Sequence, residues 1–273
     1  MLKTNNPNII FIHANGFPPD SYKPLFQDIE TNNNLEKYLL RPLWKKDMNP
    51  LELKDWNLFH NDFKSTLDTQ KKYIGIGHSI GGNIILRTAI SDPKYFSKII
   101  LLDPTLFVPR IIYLWKIAFL TGFQNQFHPW IKSTLKRKMS YDNYTEIFNS
   151  YRKKHVFSKI NDKNLKIYIR SITSEKNKQL FINYSKAWEY QIYKTGLLAD
   201  MFIWKNIKNI KIPCLIIRAE ESNAFLNSSQ NKIEKNNSNI KFTTIKNSSH
   251  LFPLEYPEKT SKIIKSFIDN QSI

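Results

Sequence analysis

Short apolar runs, set apart by longer stretches of mixed polarity, give this chain its rhythm. Six runs stand out: NIIFIH (Asn8–His13), YLLRPL (Tyr38–Leu43), YIGIG (Tyr73–Gly77), KIILLD (Lys98–Asp103), CLIIRA (Cys214–Ala219) and IKFTTI (Ile240–Ile245). Nearly continuous apolar runs of this length read as strands buried on both faces. Between them, Asp20–Thr31, Glu52–Asp68, Ile80–Ser91, Asn223–Lys235 and Tyr256–Asn270 repeat apolar residues at the spacing of a helix face. Strands alternating with helices predict an α/β fold, a parallel sheet with helices on both faces. One interval breaks the alternation. From Pro104 to about Asn209 no run reads as a strand, and LWKIAFL, YTEIFNSYRKK and YSKAWEYQIY read as helices. The expected organisation is a core of residues 1–103 and 210–273, with residues 104–209 inserted as a helical cap before the penultimate strand. No internal repeat or low-complexity segment is apparent.

Composition narrows the class. The 273 residues are 41% hydrophobic and 14% aromatic, enough for a sizeable core and unlike a disordered chain. The single cysteine, Cys214, sits in an apolar run and reads as a small buried residue; one cysteine makes no internal disulfide, which fits a reducing compartment. The apolar run near the N-terminus is too short for a signal peptide. The longest apolar stretch, Ile111 to Phe123, is shorter than a membrane span and contains Lys116. A soluble cytoplasmic protein is therefore expected.

The formal charge is +18, and the interval from Thr105 to Lys205 holds 18 Lys and Arg against 6 Asp and Glu, so +12 of it lies there. A nucleic-acid binder would concentrate basic and aromatic residues on one module, whereas here they spread along the chain. A solvated basic surface is the preferred reading; weak attraction for anionic substrates or an anionic membrane face stays open.

Chemistry first becomes visible in YIGIGHSIGG. Four of the seven glycines of the chain, Gly75, Gly77, Gly81 and Gly82, fall within these ten residues. GHSIG (Gly77–Gly81) fits the pattern G-x-S-x-G between a predicted strand and a predicted helix, the setting of a nucleophile elbow. So sharp a turn requires tiny flanking residues and leaves Ser79 exposed at the strand end, over a helix N-terminus. A serine nucleophile needs a base. Of the six histidines, His250 follows the last predicted strand and precedes the final helix, which puts it at the same sheet edge as Ser79. His13 and His78 belong to turns beside the nucleophile and read as site-shaping. His60, His128 and His155 have no supporting context.

The elbow, HANGFPPDSY near the start and HLFPLEYPE near the end together resemble the α/β-hydrolase superfamily, in its serine esterase-type branch with a helical cap. The resemblance covers essentially everything except the cap. It implies an oxyanion hole made by the backbone N–H groups of Asn15 and Ile80, with HANG in the place of a His-Gly-type loop. One departure is that only seven residues precede the first predicted strand, so the N-terminal hairpin common in that superfamily is expected to be missing and the sheet to have about six strands, all parallel. The site wall after the second strand is a further departure, RPLWKKD replacing a glycine-bearing segment. The triad acid is another, because RAEESNAF carries Asn223 where the superfamily usually has aspartate. Asp103, at the end of the strand before the cap, is the favoured acid, as in haloalkane dehalogenases; Glu221 and Glu220 are the alternatives.

A serine nucleophile argues against dehalogenase and epoxide hydrolase chemistry, which need an alkyl-ester intermediate. No metal cluster or dinucleotide fingerprint is present, and no cofactor is expected. The expected activity is hydrolysis of a small carboxylic ester with an apolar part, through an acyl-enzyme. A thioesterase or lactonase would carry the same triad. A slow-turnover ligand sensor on the same fold and a basic lipid- or nucleic-acid-binding protein are the readings from other classes. Cap aromatics (Phe107, Tyr113, Trp115, Phe119, Phe123, Phe127, Trp130) either line an acyl pocket or simply form core, the commoner role.

Overall fold

The computed structural model of the protein describes residues 7–31, 33–45, 47–127 and 129–270. In chain order its strands are β1 (Asn8–Ile12), β2 (Asn34–Tyr38), β3 (Tyr73–His78), β4 (Phe96–Leu102), β5 (Ser140–Tyr141), β6 (Thr173–Lys176), β7 (Gln179–Ile182), β8 (Cys214–Glu221) and β9 (Ile240–Ser249). Six of them form one parallel sheet in the order β2-β1-β3-β4-β8-β9. Alternate residues of β1 serve opposite faces: Ile10 and Ile12 join one core, Ile9 and Phe11 the other. The helices Asn57–Thr66 and Ile80–Ser91 cover the first face with Phe59, Phe63, Ile84 and Ile85. Lys23–Glu30 and Pro257–Ile268 cover the second with Leu25, Phe26, Ile264 and Phe267. Each such side chain contributes about 1.5–3 kcal/mol when fully buried, so sequestering both faces holds the layers together.

The order of the sheet also opens a crevice at one edge. After β1 the chain turns outward to β2, then returns so that β3 pairs on the other side of β1. Connections that diverge in this way leave a crevice at the C-terminal ends of β1 and β3. His13, Ala14 and Asn15 follow β1, and Ser79 follows β3, so the loop and the serine face each other across that crevice.

Two expectations need correction. The second strand is Asn34–Tyr38 rather than Tyr38–Leu43, and Arg41–Trp44 form a helical turn instead. Pro42 has no N–H for a ladder but suits the first turn of a helix. As an edge strand, β2 is only partly buried, so it lacks the continuous apolar run of a central strand. The segment between β4 and β8 is also not wholly helical: β5, β7 and β6 form a small antiparallel sheet in that order. Its β6–β7 hairpin turns through Asn177 and Lys178, both at positive φ (52° and 63°), without the glycine that usually marks such a turn. Its strands are largely exposed and carry no buried alternation to read.

Within the same segment, the helix Pro109–Leu120 buries Ile112, Trp115 and Ala118 and leaves Tyr113, Leu114, Ile117 and Leu120 exposed, Leu114 and Ile117 at the wall of a cavity. Among the described residues no helix is long and apolar enough to cross a membrane.

Candidate active site

Backbone geometry at the end of β3 explains the glycines. Ser79 is held at φ 57°, ψ −117°, between the strand and the helix Ile80–Ser91. A Cβ on Gly77 would overlap the Gly81 carbonyl, and one on Gly81 would overlap the Ile12 carbonyl of β1. Gly82 abuts Pro104, where an added Cβ would come within 2.9 Å of the proline ring. The turn is thus wedged between two strands, and only hydrogen fits at these positions. A non-glycine residue at positive φ stores on the order of 1–3 kcal/mol of strain, which the surrounding packing has to overcome. Two backbone bonds help: Ser79 N–H donates to the Leu102 carbonyl at 3.0 Å, and Thr105 N–H donates to the Ser79 carbonyl at 3.1 Å.

The hydroxyl of Ser79 meets His250. Ser79 Oγ lies 3.0 Å from His250 Nε2, and His250 Nδ1 lies 2.7 Å from Asp103 Oδ2. Asp103 is fully buried at φ 41° and accepts two further bonds, from Ala219 N–H at 3.0 Å and Ser222 Oγ at 2.6 Å. A carboxylate so surrounded accepts the His250 Nδ1 proton, which leaves Nε2 as the acceptor facing the serine. With the Ser79 proton directed to that nitrogen, Thr105 Oγ1, 3.1 Å from Ser79 Oγ, is the donor in their contact.

Glu220 and Glu221 do not approach the imidazole. Glu220 binds Lys246 at 3.0 Å and the Asn247 N–H at 2.8 Å, and Glu221 pairs with Lys159 at 2.6 Å. Both alternative acids are therefore engaged by other partners and make no hydrogen bond to His250. Asn223 lines the cavity beside Ala224, and it is Ser222, not foreseen from the sequence, that touches Asp103.

His78 and His13 are part of the scaffold. His78 accepts at Nδ1 from the Tyr22 hydroxyl (2.7 Å) and donates from Nε2 to the His250 carbonyl (3.0 Å), clamping the backbone that carries the imidazole facing Ser79. Its pKa is driven well below the ordinary histidine value by burial and by the neighbouring His250 ring. His13 donates to the Ala14 carbonyl at 2.8 Å and accepts from the Leu40 N–H at 3.1 Å; burial lowers its pKa to about 4. Among the described residues the backbone N–H groups of Asn15 and Ile80 have no acceptor. The Asn15 side chain is engaged elsewhere, donating to the Glu189 carbonyl at 3.3 Å and accepting from the Tyr184 hydroxyl at 2.9 Å, so it braces its loop.

Above Ser79 lies a cavity of about 880 Å³, floored by Ala14, Ser79, Ile80 and His250 and walled mainly by apolar side chains. Of the aromatic residues singled out above, Phe107, Trp115, Phe123 and Trp130 line it. Tyr113 faces outward at 55% exposure, and Phe119 packs under Lys194. The Phe127 side chain and His128 lie outside the described residues. His60 donates to Thr88 at 3.0 Å on the far side of the Ile80–Ser91 helix, while His155 borders a second cavity beside the first. Among the described residues no cluster of His, Cys, Asp or Glu could hold a metal ion.

A family model described as serine aminopeptidase, S33 (Hydrolase_4) matches residues 49–256, which include Ser79, Asp103 and His250. The chain belongs to the S33 hydrolase family. Its fold is that of the α/β-hydrolases. The crystal structure of E-2-(acetamidomethylene)succinate hydrolase superposes with a TM-score of 0.77, at 17% identity over 97% of this chain and 92% of that one. The peroxisomal α/β-hydrolase Lpx1 of Saccharomyces cerevisiae superposes with a TM-score of 0.71, at 16% identity over 98% and 78%. In sequence, this S33 hydrolase is 27% identical over 115 residues to the type I acyl-CoA thioesterase mpaH of Penicillium brevicompactum. That match spans 35% of this chain and only 25% of the thioesterase.

Proposed function

We propose that this S33 hydrolase cleaves carboxylic esters with an apolar part through an acyl-enzyme. The observation that carries the reading is the hydrogen-bonded chain Ser79–His250–Asp103 at the floor of an apolar cavity. His250 Nε2 takes the Ser79 proton as Oγ attacks the substrate carbonyl, and Asp103 steadies the imidazolium that forms. The Asn15 and Ile80 N–H groups receive the oxyanion; two preorganised donors contribute on the order of several kcal/mol to the transition state. His250 then protonates the leaving alcohol. Water, deprotonated by the same nitrogen, attacks the acyl carbonyl and releases Ser79 and the acid. No step requires a metal or an organic cofactor. Residues 104–209 act as the cap that closes the acyl cavity and sets its length.

Hydrolysis of p-nitrophenyl esters from acetate to decanoate tests the reading. Turnover is expected in the wild type, to vanish in Ser79→Ala and to fall about a thousandfold or more in Asp103→Asn. An Asp103→Asn enzyme with full activity would remove Asp103 from the mechanism. Absence of wild-type turnover on every ester would overturn the esterase reading and favour a ligand sensor.

The thioesterase relative supports a second substrate class. A thioester places its carbonyl in the same oxyanion site and loses a thiolate that needs no protonation. Comparing kcat/KM for an oxyester and a thioester with one acyl chain separates the two.

A further inference from the structure

The apolar cavity is not the only space that reaches His250. A second cavity of about 860 Å³ lies on the other side of Trp130 and Tyr193 and shares Asn15, Asn223 and His250 with the first. Its character is different. Lys136, Arg137, Lys138, Lys154 and Lys159 line it, against Glu189, Glu221 and Glu255.

The three carboxylates are all engaged. Glu189 pairs with Arg137 and accepts from Thr134, Glu221 pairs with Lys159, and Glu255 accepts from Ser249. What is left over is positive charge and unused donors. Lys154 holds its ammonium 3.9 Å from the Tyr151 ring centroid and pairs with no carboxylate among the described residues. Burial and the nearby Arg137 lower its pKa, so its charge is poorly solvated. Among the described residues, the Tyr151 hydroxyl, on a residue only 2% exposed, and Arg137 Nε are both buried without a hydrogen-bond partner. Buried donors without partners cost on the order of 1–3 kcal/mol each, so a cluster of them at a cavity wall favours a ligand bearing acceptor oxygens.

We propose that this second cavity is an anion subsite, in which Lys154, Tyr151 and Arg137 hold a carboxylate or phosphate on the alcohol or thiol side of the substrate. The inference rests on the hydrolase reading, since it assigns the apolar cavity to one half of the substrate and the polar cavity to the other, with the scissile bond between them at Ser79 and His250. It narrows the substrate class to bipartite molecules, an apolar acyl chain joined to an anionic leaving group.

The test uses phenyl hexanoate and 4-carboxyphenyl hexanoate, which differ by one carboxylate. Their Kd values are measured by calorimetry on the full-length Ser79→Ala protein, where no turnover interferes. The anionic ester is expected to bind about tenfold more tightly, as one charge-assisted contact implies. That ratio should fall towards one in Ser79→Ala/Lys154→Met and drop in part in Ser79→Ala/Tyr151→Phe, which keeps the ring. Raising salt should shrink it too. Equal affinities, no binding of either ester, or a ratio that survives both substitutions would overturn the subsite. Wild-type turnover separates the two readings: hydrolysis of both esters without preference removes the subsite and keeps the esterase, while selective binding without hydrolysis does the reverse. A phosphate counterpart, 4-phosphonooxyphenyl hexanoate, distinguishes the two kinds of anion by their ratio.

Discussion

Ser222 shows how much a single hydroxyl can organise. Its Oγ donates to Asp103 Oδ2 at 2.6 Å and accepts from the Ala224 and Phe225 N–H groups at 3.2 and 2.9 Å. It therefore ties the carboxylate facing His250 to the loop after β8. Ser222→Ala removes one of three contacts to Asp103 and leaves two backbone donors short of an acceptor, a loss of about 1–2 kcal/mol. The expected outcome is a lower melting temperature and a kcat reduced about three- to tenfold, with KM nearly unchanged. Glu220→Gln is the control, because its carboxylate binds Lys246 and Asn247 and should leave kcat alone. An unchanged kcat in Ser222→Ala would mean that Ala219 N–H suffices to hold Asp103. The contrast also marks what was readable in the chain. Ser79 and His250 announce themselves locally, one by glycines and the other by its place after the last strand. Asp103 could only be favoured over Glu221 and Glu220, since the choice depends on β4 pairing with β8 so that Ala219, 116 positions later, donates to it.

At the level of elements, legibility followed burial. The central strands β1, β3, β4 and β8 are apolar because both faces are covered, and each was visible as a run. The edge strand β2 and the β5-β7-β6 sheet are partly exposed and leave no such mark, whereas β9, partly exposed at the other edge, was still legible from the β-branched residues of IKFTTI. The elbow is the opposite extreme, an element whose sequence is dictated by contact. Gly81→Ala would drive a methyl into the Ile12 carbonyl, a backbone atom of the neighbouring strand that cannot step aside. The expected result is loss of more than about 3 kcal/mol, read as a collapsed melting transition or insoluble protein. Gly122→Ala is the matched comparison. It has positive φ (80°) but open space around it, so only the backbone strain of about 1 kcal/mol applies. Similar melting temperatures for the two variants would show that the elbow is able to relax away from β1.

Over the whole molecule, three buried or half-buried neutral histidines join parts of the chain far apart in sequence. His13 bonds the loop after β1 to Leu40 beyond β2, His78 joins Tyr22 to the His250 backbone, and His60 ties the Asn57–Thr66 helix to Thr88. His13 and His60 have their pKa values lowered to about 4, chiefly by burial, and that of His78 is pushed well below the usual value for the same reason. A base whose folded pKa is depressed contributes stability that is present above the unfolded value, 6.5, and is lost as pH falls through the folded one. The unfolded chain takes up these protons first, and protonating His13 or His78 also cancels the acceptor nitrogen facing Leu40 or Tyr22. Asp200 acts in the other direction. Burial raises its pKa to about 6 despite Arg87 and Asn83 beside it, so its contribution is fully present below the unfolded value, 3.8, and lost as pH rises through about 6. One raised carboxyl offsets only part of the effect of three depressed imidazoles. Urea unfolding at pH 7.0 and 4.5 should therefore show stability falling by several kcal/mol on acidification, with uptake of more than one proton. His60→Asn, which keeps a donor near Thr88, should flatten that dependence without abolishing it, because His13 and His78 remain. A stability that holds steady from pH 7.0 to 4.5 would mean that these rings are already charged in the folded protein, and that the scaffold under His250 is held by other bonds.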